Sequence, residues 1–525
     1  MADETQTEIA PERVNDGWPH GVTVALGAVG AIGMVLITVS GVATGPTGPT
    51  GSAVERWILS MTPKGTAGNV LGIVAMTLGL ILVLGAWLVL GLLLRRGASL
   101  RPLFKIACVW SLPLMIGPPI FSRDLYSYAA DGAMVASRIS PYAHGPAALG
   151  VTSSNFLAPV SSAWLGTPSP YGPLFLRIAW VAVRLSGGSV VTSIMLLRLF
   201  EIGGVVLIAV SLPRLARAYG KDPARAVWLG VCNPVVLFHF IAGGHNDALM
   251  IGLIVAGLAV ATTANRPLLG VVLCMVAATI KAPAVIPAAF IVLDSVRKAP
   301  PEERVKEFAR LAALGSLVFV GISWLCGLGW GWIGALGIPG TNRILLTPTT
   351  FLAHVIAMGV GHEMFVLKLV RFAAALATGA GIAYLLWRAP RIGTVRAAGF
   401  ALALLVALGP IVLPWYALWG LIVIAAVGRR IERGYAILAS VVLAIVVEAS
   451  GSSMPDVVLM GAVVLLSAVA IAIAWHPVRH WIRHDLAVAI DEYRMRGQIV
   501  NGPEVLRRAV PSTWISRARA SDPVG

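Results

Sequence analysis

The sequence has few charged residues and few cysteines. Of its 525 residues only 12% are charged, whereas 57% are hydrophobic. A soluble protein of this length needs more charge to cover its surface, so much of this surface must face lipid. The four cysteines lie in apolar runs at unrelated spacings, which is typical of small core residues rather than of disulfides or metal ligands.

The motifs of several enzyme classes are also missing. No Walker-type loop, nucleophile elbow, HExxH motif or Cys/His cluster occurs, and no DxD-like metal site accompanies a nucleotide domain. We therefore expect neither a nucleotide-sugar donor nor a bound metal or other cofactor. The net charge of +16 fits the positive-inside bias of membrane proteins. Nucleic-acid binding would need a basic domain, and no stretch is long enough to form one.

What the sequence does contain is a series of long apolar runs. Residues 22–43 and 68–94 carry no charge, and each exceeds the roughly 20 residues that cross a hydrocarbon core. The first run is too long for the apolar region of a signal peptide, and it follows an acidic tail. The sequence therefore predicts an all-α polytopic membrane protein.

The basic residues predict the topology. We assign five clusters of basic residues to the cytoplasm: those within 95–105, 214–225, 297–310, 388–396 and 429–433. Because all five then lie on one side, the chain must cross the membrane an even number of times between any two of them. Segment 173–185 is short and carries Arg177 and Arg184, so we expect it to lie on the outer face as a juxtamembrane helix. Segment 350–360 is interpreted as re-entrant or interfacial. About fourteen crossings remain: 22–43, 68–94, 103–120, 190–212, 225–242, 247–264, 268–280, 283–294, 309–330, 363–388, 396–411, 413–428, 434–450 and 457–475.

This topology divides the chain into three parts. A transmembrane domain, 22–475, lies between cytoplasmic tails 1–21 and 476–525, and its largest outer loop is 121–189. The short crossings 268–280 and 283–294 are interrupted by Lys281 and Pro283 and are predicted to form a hairpin whose tip reaches the outer half of the membrane. The pair around Pro410 and Pro414 is interpreted in the same way.

The outer loop has an unusual composition. It holds four of the nine tyrosines of the chain, together with aspartates, a histidine and several prolines. Aromatic residues are common at the lipid–water boundary, which is one explanation. The other is an aromatic, polar surface that stacks against sugar rings and binds their hydroxyl groups. The residues predicted to line such a surface are Arg123, Tyr126, Tyr128, Tyr142, His144 and Tyr171.

Asp124 is the candidate catalytic residue of this loop. It follows the end of a predicted transmembrane helix, where it either forms an ion pair with Arg123 or acts in chemistry. Carboxylates are scarce on the predicted outer face. A carboxylate at the membrane surface suits a general base that deprotonates a sugar hydroxyl when the donor is a membrane lipid.

Two further outer segments carry polar residues. The turn GGHNDALM, 243–250, places His245, Asn246 and Asp247 together, and Asp247 is also in position to cap the next helix. Lys281, at the predicted hairpin tip, is costly among apolar helices unless it has a function or extends to the interface. Lys281, His245 and Arg343, from another outer loop, are predicted to bind a phosphate group.

These segments resemble a known family. The stretches SRDLYSYAADG, ISPYAHGP and TPSPYGPLF, followed by GGHNDALM and IKAPA, are similar to the actinobacterial polyprenyl-phosphomannose-dependent α-1,6-mannosyltransferases of the GT-C class, and closest to their B type. The resemblance covers about residues 100 to 470. It implies a GT-C-like helical bundle whose catalytic carboxylate lies in the large outer loop, which is Asp124 here. The roles of His245, Lys281 and Arg343 rest on their position and chemistry alone.

The resemblance implies a mechanism and a set of partners. Mannose would move from polyprenyl-phosphate mannose to the 6-hydroxyl of an α-mannoside or mannosylated lipid, in lipomannan and lipoarabinomannan core synthesis on the outer face of the plasma membrane. Asn246 and Asp247 would join the sugar-binding residues. Two alternatives stay open: a secondary transporter of a lipid-linked sugar or anion, which would explain broken helices and Lys281, and a GT-C enzyme that uses another polyprenyl-phosphate sugar.

Overall fold

Helices account for all of the regular structure in the residues described. The computed structural model describes residues 20–43, 52–63, 65–94, 98–150, 154–341 and 347–446, and no β-strand occurs among them. These residues belong to one unit of the chain, Met1–Met460, and the second unit, Gly461–Gly525, lies outside them. The predicted crossing 457–475, the predicted C-terminal tail and residues 1–19 therefore also lie outside the described part.

The described part holds twenty-one α-helices, joined in several places by 3₁₀ turns and by one π-helical turn, Leu237–Ala242. In chain order the α-helices are α1 (His20–Ala43), α2 (Ala53–Met61), α3 (Thr66–Leu93), α4 (Arg101–Ile116), α5 (Asp124–Ala136), α6 (Ser154–Leu157), α7 (Ser162–Leu165), α8 (Pro173–Leu185), α9 (Val190–Ala218), α10 (Pro223–Gly230), α11 (Pro234–Val236), α12 (Asp247–Thr263), α13 (Pro267–Ala278), α14 (Val285–Lys298), α15 (Arg304–Cys326), α16 (Trp332–Ala335), α17 (Pro348–Val360), α18 (Glu363–Ile392), α19 (Thr394–Ala407), α20 (Leu418–Val427) and α21 (Arg430–Val446).

Five of these helices are long and apolar enough to cross a membrane: α1, α3, α9, α15 and α18. A sixth span results if α10 and the helical turns that follow it are counted as one bent crossing. All of them coincide with predicted crossings, which confirms an all-α, multi-pass membrane protein. Several other predicted crossings are helices of 10–17 residues. The number of about fourteen crossings, the outer position of 121–189 and the cytoplasmic termini stay predictions.

The predicted crossing 225–242 is interrupted in the structure. Helix α10 ends at Gly230, and the chain bends by 45° before it continues from Pro234. Pro234 has no N–H to donate, and the side chain of Asn233 accepts a hydrogen bond from Val235 N at 2.9 Å. The Asn233 amide also donates to Ser440 Oγ at 2.7 Å, so α21 helps to hold the bend.

The outer loop 121–189 is more helical than expected. Residues 124–136 form α5, where the sequence analysis predicted only a polar loop. The segment contains four alanines, which favour helix, and α5 packs against α8 and α9. Helix α8, at Pro173–Leu185, matches the predicted short segment 173–185, and its thirteen residues extend only about 20 Å.

The tip of the hairpin formed by α13 and α14 is tied to the start of α8. Gly172 N donates to Ile280 O at 2.9 Å, and Leu174 N donates to Thr279 O at 3.1 Å. These two bonds place the segment before Lys281 against the outer loop. The hairpin tip therefore lies on the same side of the bundle as α5.

Helices α9 and α12 approach each other through glycines. A Cβ on Gly204 would collide with the backbone of Ala248, and a Cβ on Gly252 would collide with the carbonyl oxygen of Gly204. Small residues at such a crossing let two helix backbones approach closely. This contact fixes the start of α12, where the HND motif lies, relative to α9.

We therefore expect Gly204→Ala to destabilise the protein, because overpacking of a close contact costs about 1–3 kcal/mol. Gly203 precedes it in the same helix and has open space at its Cβ position, so Gly203→Ala is the matched control. The melting temperature in detergent should fall for Gly204→Ala and stay level or rise slightly for Gly203→Ala. Equal shifts for the two variants would contradict the glycine-mediated contact.

Candidate active site

Asp124 is the first residue of α5. Its backbone N–H donates to Ser122 Oγ at 3.0 Å, and its side chain is 13% exposed. The preceding Phe121 has φ of +69°, a left-handed conformation that a bulky residue adopts only when its surroundings enforce it. The Phe121 ring packs on Phe238, with ring centroids 4.8 Å apart. Packing thus holds the turn that positions the carboxylate.

The principal partner of Asp124 is His245. Asp124 Oδ2 lies 3.2 Å from His245 Nδ1, and the histidine side chain is fully buried. The His245 ring stacks on Trp415, with centroids 3.7 Å apart and planes 19° apart. The turn before it needs Gly244, which has φ of +58° and whose Cβ position is filled by Leu125. The GGHND turn and the start of α5 are therefore built against each other.

The electrostatics of this pair favour an ionised Asp124. Burial acts to raise the pKa of Asp124, but the adjacent His245 side chain and the charge of Lys281 act to lower it. The net result is a pKa below the ordinary value for aspartate. The carboxylate is therefore available as a proton acceptor at neutral pH.

A second buried carboxylate lies close by. Both oxygens of Asp247 are 2.9 Å from Lys281 Nζ, and Oδ1 also accepts a 2.6 Å hydrogen bond from Trp419 Nε1. The ammonium group lies 4.4 Å from the centre of the Tyr416 ring, a cation–π contact. Asp247 makes no side-chain cap of α12. Asp247 therefore does not cap the helix, and Lys281 does not extend to the membrane interface. The two side chains form a buried ion pair instead.

The tyrosines of the outer loop separate into two groups. The rings of Tyr128, Tyr171 and Phe175 form an edge-to-face cluster, and Tyr142 OH donates to Tyr171 O at 3.1 Å. Tyr128 OH lies 3.5 Å from Asp124 Oδ2. Tyr126 is fully buried and, two residues after Asp124, points to a different face of α5. The structure thus brings Tyr128 and Tyr171 near the carboxylate, and Tyr142 contacts Tyr171.

The other predicted site residues lie at varied distances from this centre. Arg123 is half-buried beside Asp124, whereas His144 is exposed in a turn. Asn246 is fully buried, and its amide atoms have no hydrogen-bond partner in the described part of the chain. Arg343 lies outside the described residues. Within the ranges described, no group of three or more His, Cys, Asp or Glu side chains is placed to bind a metal ion.

Sequence reasoning missed several residues of the site. His239 is buried with both ring nitrogens unpartnered among the described residues, and its ring centroid lies 5.1 Å from that of Trp415. Trp415, Tyr416 and Trp419 come from the predicted hairpin at Pro410 and Pro414. The aromatic run WYALW at its tip was the available signal. Glu201 lies within the apolar helix α9 and accepts a hydrogen bond from Leu249 N at 3.2 Å. A carboxyl group in an apolar helix was the feature of the sequence that could have indicated it.

Two family models match the chain. Residues 27–297 match the model described as "Alpha-(1->6)-mannopyranosyltransferase, N-terminal domain", of the MptA_B family, and this range is more than half of the chain. The chain belongs to this family. Residues 347–476 match the model described as "MptB C-terminal domain". The resemblance inferred from the outer-loop motifs is confirmed, and both the Asp124 segment and the HND turn lie inside the first matched range.

Relatives with the same family name occur in three actinobacteria. A probable alpha-(1->6)-mannopyranosyltransferase of Mycolicibacterium smegmatis is 34% identical over 67% of this chain and 70% of its own length. Alpha-(1->6)-mannopyranosyltransferase A of Mycobacterium tuberculosis is 34% identical over 69% and 72%. The B enzyme of Corynebacterium glutamicum is 28% identical over 63% and 60%. No solved structure matches the chain significantly. Assignment to the B type stays a prediction.

Asp131, two turns after Asp124 on α5, gives a pH-dependent prediction. Burial raises its pKa to about 7, the facing Ser169 hydroxyl opposes this, and the charge of Asp124 adds to it. Because the pKa is raised on folding, ionisation of Asp131 destabilises the fold as pH rises from about 4 through 7. Asp131→Asn carries no charge and should melt higher than wild type, by an amount that is small near about pH 5 and larger near about pH 8. A melting difference independent of pH would contradict this assignment.

Proposed function

We propose that this protein transfers mannose from polyprenyl-phosphate mannose to the 6-hydroxyl of an α-mannoside acceptor, with inversion at the anomeric carbon. The observation that carries the proposal is Asp124, an ionised carboxylate held by His245 at the wall of a cleft in a membrane-embedded bundle. The names of the relatives support the sugar and the linkage. The outer face of the plasma membrane and lipomannan or lipoarabinomannan core synthesis are part of the same proposal.

The reaction needs one base. Asp124 takes the proton from the acceptor 6-hydroxyl while that oxygen attacks the anomeric carbon of the donor. The new carbon–oxygen bond forms as the bond to the lipid phosphate breaks, and the phosphate keeps the electron pair. A β-linked donor then gives an α-linked product. A single displacement of this kind needs no second carboxylate as nucleophile, unlike a retaining glycoside hydrolase.

His245 serves this step by position. Its stacking on Trp415 fixes the ring plane, and its Nδ1, 3.2 Å from Asp124, orients the carboxylate. A fixed base avoids reorganisation at the moment of proton transfer. The aromatic cluster of Tyr128, Tyr171 and Phe175 beside it offers ring faces and edges to a sugar.

The leaving phosphate needs positive charge rather than a proton. Lys281 lies close enough for its charge to act on Asp124, and its ammonium group has three N–H donors. Two donors serve the Asp247 carboxylate, so one can point toward a phosphate oxygen. We propose that Lys281 and His245 bind the phosphate, with Arg343 as a third cation.

The base assignment has a direct test. Asp124→Asn should lower kcat by about 10²–10⁴-fold, because proton transfer by a positioned base contributes that much. Asp294→Asn is the control, since Asp294 lies near the far end of α14, about 20 Å from Lys281. The assay follows labelled mannose from polyprenyl-phosphate mannose into a short α-1,6-mannoside in membranes. Activity retained by Asp124→Asn would rule out the base, and no transfer by wild type would favour the transporter.

The phosphate role of Lys281 needs a double variant. Lys281→Met alone leaves Asp247 buried and unpaired, which costs about 3–5 kcal/mol and obscures any effect on the donor. Asp247→Asn/Lys281→Met removes both charges and should melt closer to wild type than the single variant. Its KM for the donor should still rise about tenfold, with the acceptor KM little changed. A donor KM restored to the wild-type value would leave Lys281 with a structural role only.

A further inference from the structure

Arg198 is a buried cation of α9 for which the reaction above has no use. It is 2% exposed, and no carboxylate in the described part of the chain forms an ion pair with it. Its guanidinium group donates instead to backbone carbonyls: Nη1 to Met115 O at 3.0 Å and to Gly117 O at 2.8 Å, and Nη2 to Ala242 O at 3.0 Å. A charged side chain inside a membrane protein is costly, so its position calls for a functional explanation.

The three carbonyls belong to the C-terminal ends of two helical segments. Met115 and Gly117 flank the last residue of α4, and Ala242 is the last residue of the π-helical turn. Carbonyl groups at such an end have no donor within their own helix, and together they carry partial negative charge. The backbone therefore supplies the countercharge of Arg198, and this one side chain joins two helix ends.

The end of α4 leads directly to Asp124. Asp124 follows Gly117 by seven residues, and positions 117–122 are buried. The rings of Pro118 and Pro119 fix φ at two of these positions, and Phe121 has the left-handed conformation described above. Such a connection is too stiff to absorb a shift of α4, so Arg198 determines where Asp124 begins α5.

The other helix end leads to His245, and α9 holds that turn from both sides. His245 follows Ala242 by three residues. One helical turn after Arg198, the fully buried Glu201 accepts a hydrogen bond from Leu249 N, beyond the same turn, at 3.2 Å. Opposite charges three residues apart on a helix lie close enough to pair. Arg198 and Glu201 nevertheless make no ion pair with each other in the structure described, and each binds the backbone beside the turn.

We propose that Arg198, assisted by Glu201, is a positioning residue for the base. It holds the segment before Asp124 and the segment before His245 at a fixed separation, which maintains the 3.2 Å contact between the two side chains. Arg198 itself takes no part in proton transfer. The inference rests on the proposed function, in which Asp124 deprotonates the acceptor. Because a misplacement of about 1 Å can lower a rate about 100-fold, loss of Arg198 should act on kcat rather than on substrate binding.

The first test measures kcat and KM separately in the full-length protein, with polyprenyl-phosphate mannose and a short α-1,6-mannoside as substrates. Arg198→Lys keeps the charge but presents a single nitrogen atom in place of the planar fork, and should lower kcat on the order of tenfold. Arg198→Met should lower kcat on the order of 100-fold. Both KM values should stay within about twofold of wild type. Raised KM values with an unchanged kcat would overturn the proposal.

The matched control is Arg214→Met. Arg214 is exposed on the same helix and donates within it, to Val210 O, so this variant should behave as wild type. Glu201→Gln keeps an acceptor oxygen for Leu249 N and should retain most of kcat, whereas Glu201→Leu should not. If Arg198→Met fails to fold, the comparison between Arg198→Lys and Arg214→Met decides.

A double-mutant cycle separates positioning from general damage. If Arg198 acts through Asp124, then Arg198→Lys should lower kcat by less than about twofold in an Asp124→Asn background, because the base that it positions is already absent. A full tenfold loss in that background would show that Arg198 acts on something other than Asp124, and the proposal would fail.

Hydrogen exchange tests the same role without catalysis. In Arg198→Lys, amide exchange should rise in peptides that cover 120–128 and 240–249, and it should stay at the wild-type level in α15 and α18. Exchange that rises throughout the protein, or that is unchanged in both segments, would contradict the positioning role. If wild type transfers no mannose but the two segments exchange faster in the variant, Arg198 still positions Asp124 and His245, and it is the proposed reaction that fails.

Discussion

The contact between Asp124 and His245 is the constraint around which the site is organised. It joins the first residue of α5 to the turn before α12, two segments far apart in the chain, at 3.2 Å. A buried carboxylate without a partner would be costly, because an isolated charge in an apolar interior costs many kcal/mol. Their pairing requires the left-handed Phe121, the glycine turn at Gly244 and the Trp415 platform. The backbone strain before α5 and the aromatic tip of the last hairpin are therefore consequences of holding one carboxylate in place.

The ion pair between Lys281 and Asp247 limits how strongly the site can bind an anion. Lys281 is bound by both oxygens of Asp247 and covered by Tyr416, so its charge is largely neutralised before any substrate arrives. A phosphate group would have to share the ammonium group with a carboxylate. In the proposed reaction, such sharing would favour release of the lipid phosphate after transfer. A site with an unpaired lysine would hold the product more tightly and slow each turnover.

The helical architecture could be predicted from the sequence, because a chain that crosses a membrane must do so in long apolar segments. Runs such as 22–43 and 68–94 are helices because no other structure satisfies their backbone groups in lipid, and they appear as α1 and α3. Asp124, His245 and Lys281 were recognisable because charge is scarce in such a chain. The break at Pro234 was less predictable, since it depends on Asn233 reaching Ser440 in a distant helix.

What could not be predicted is which polar residues share a face or a cleft. Asp131 is one of two carboxylates in the outer loop 121–189, and its alignment with Asp124 follows only from residues 124–136 being helical. In the sequence, Trp415 and Trp419 look like ordinary aromatic residues of the membrane boundary. In the structure, Trp415 stacks on His245 and Trp419 donates a hydrogen bond to Asp247. These contacts depend on tertiary packing, which periodicity does not encode.

The two carboxylates of the site share one further feature: each begins a helix. Asp124 is the first residue of α5 and Asp247 the first of α12, and α8 starts beside them at Pro173. The N-terminal end of a helix carries partial positive charge, and each such end stabilises a nearby anion by about 0.3–1 kcal/mol or more when partly buried. The starts of α5 and α12 therefore place partial positive charge beside the two carboxylates of the site. The backbone thus offsets part of the cost of burying these two carboxylates.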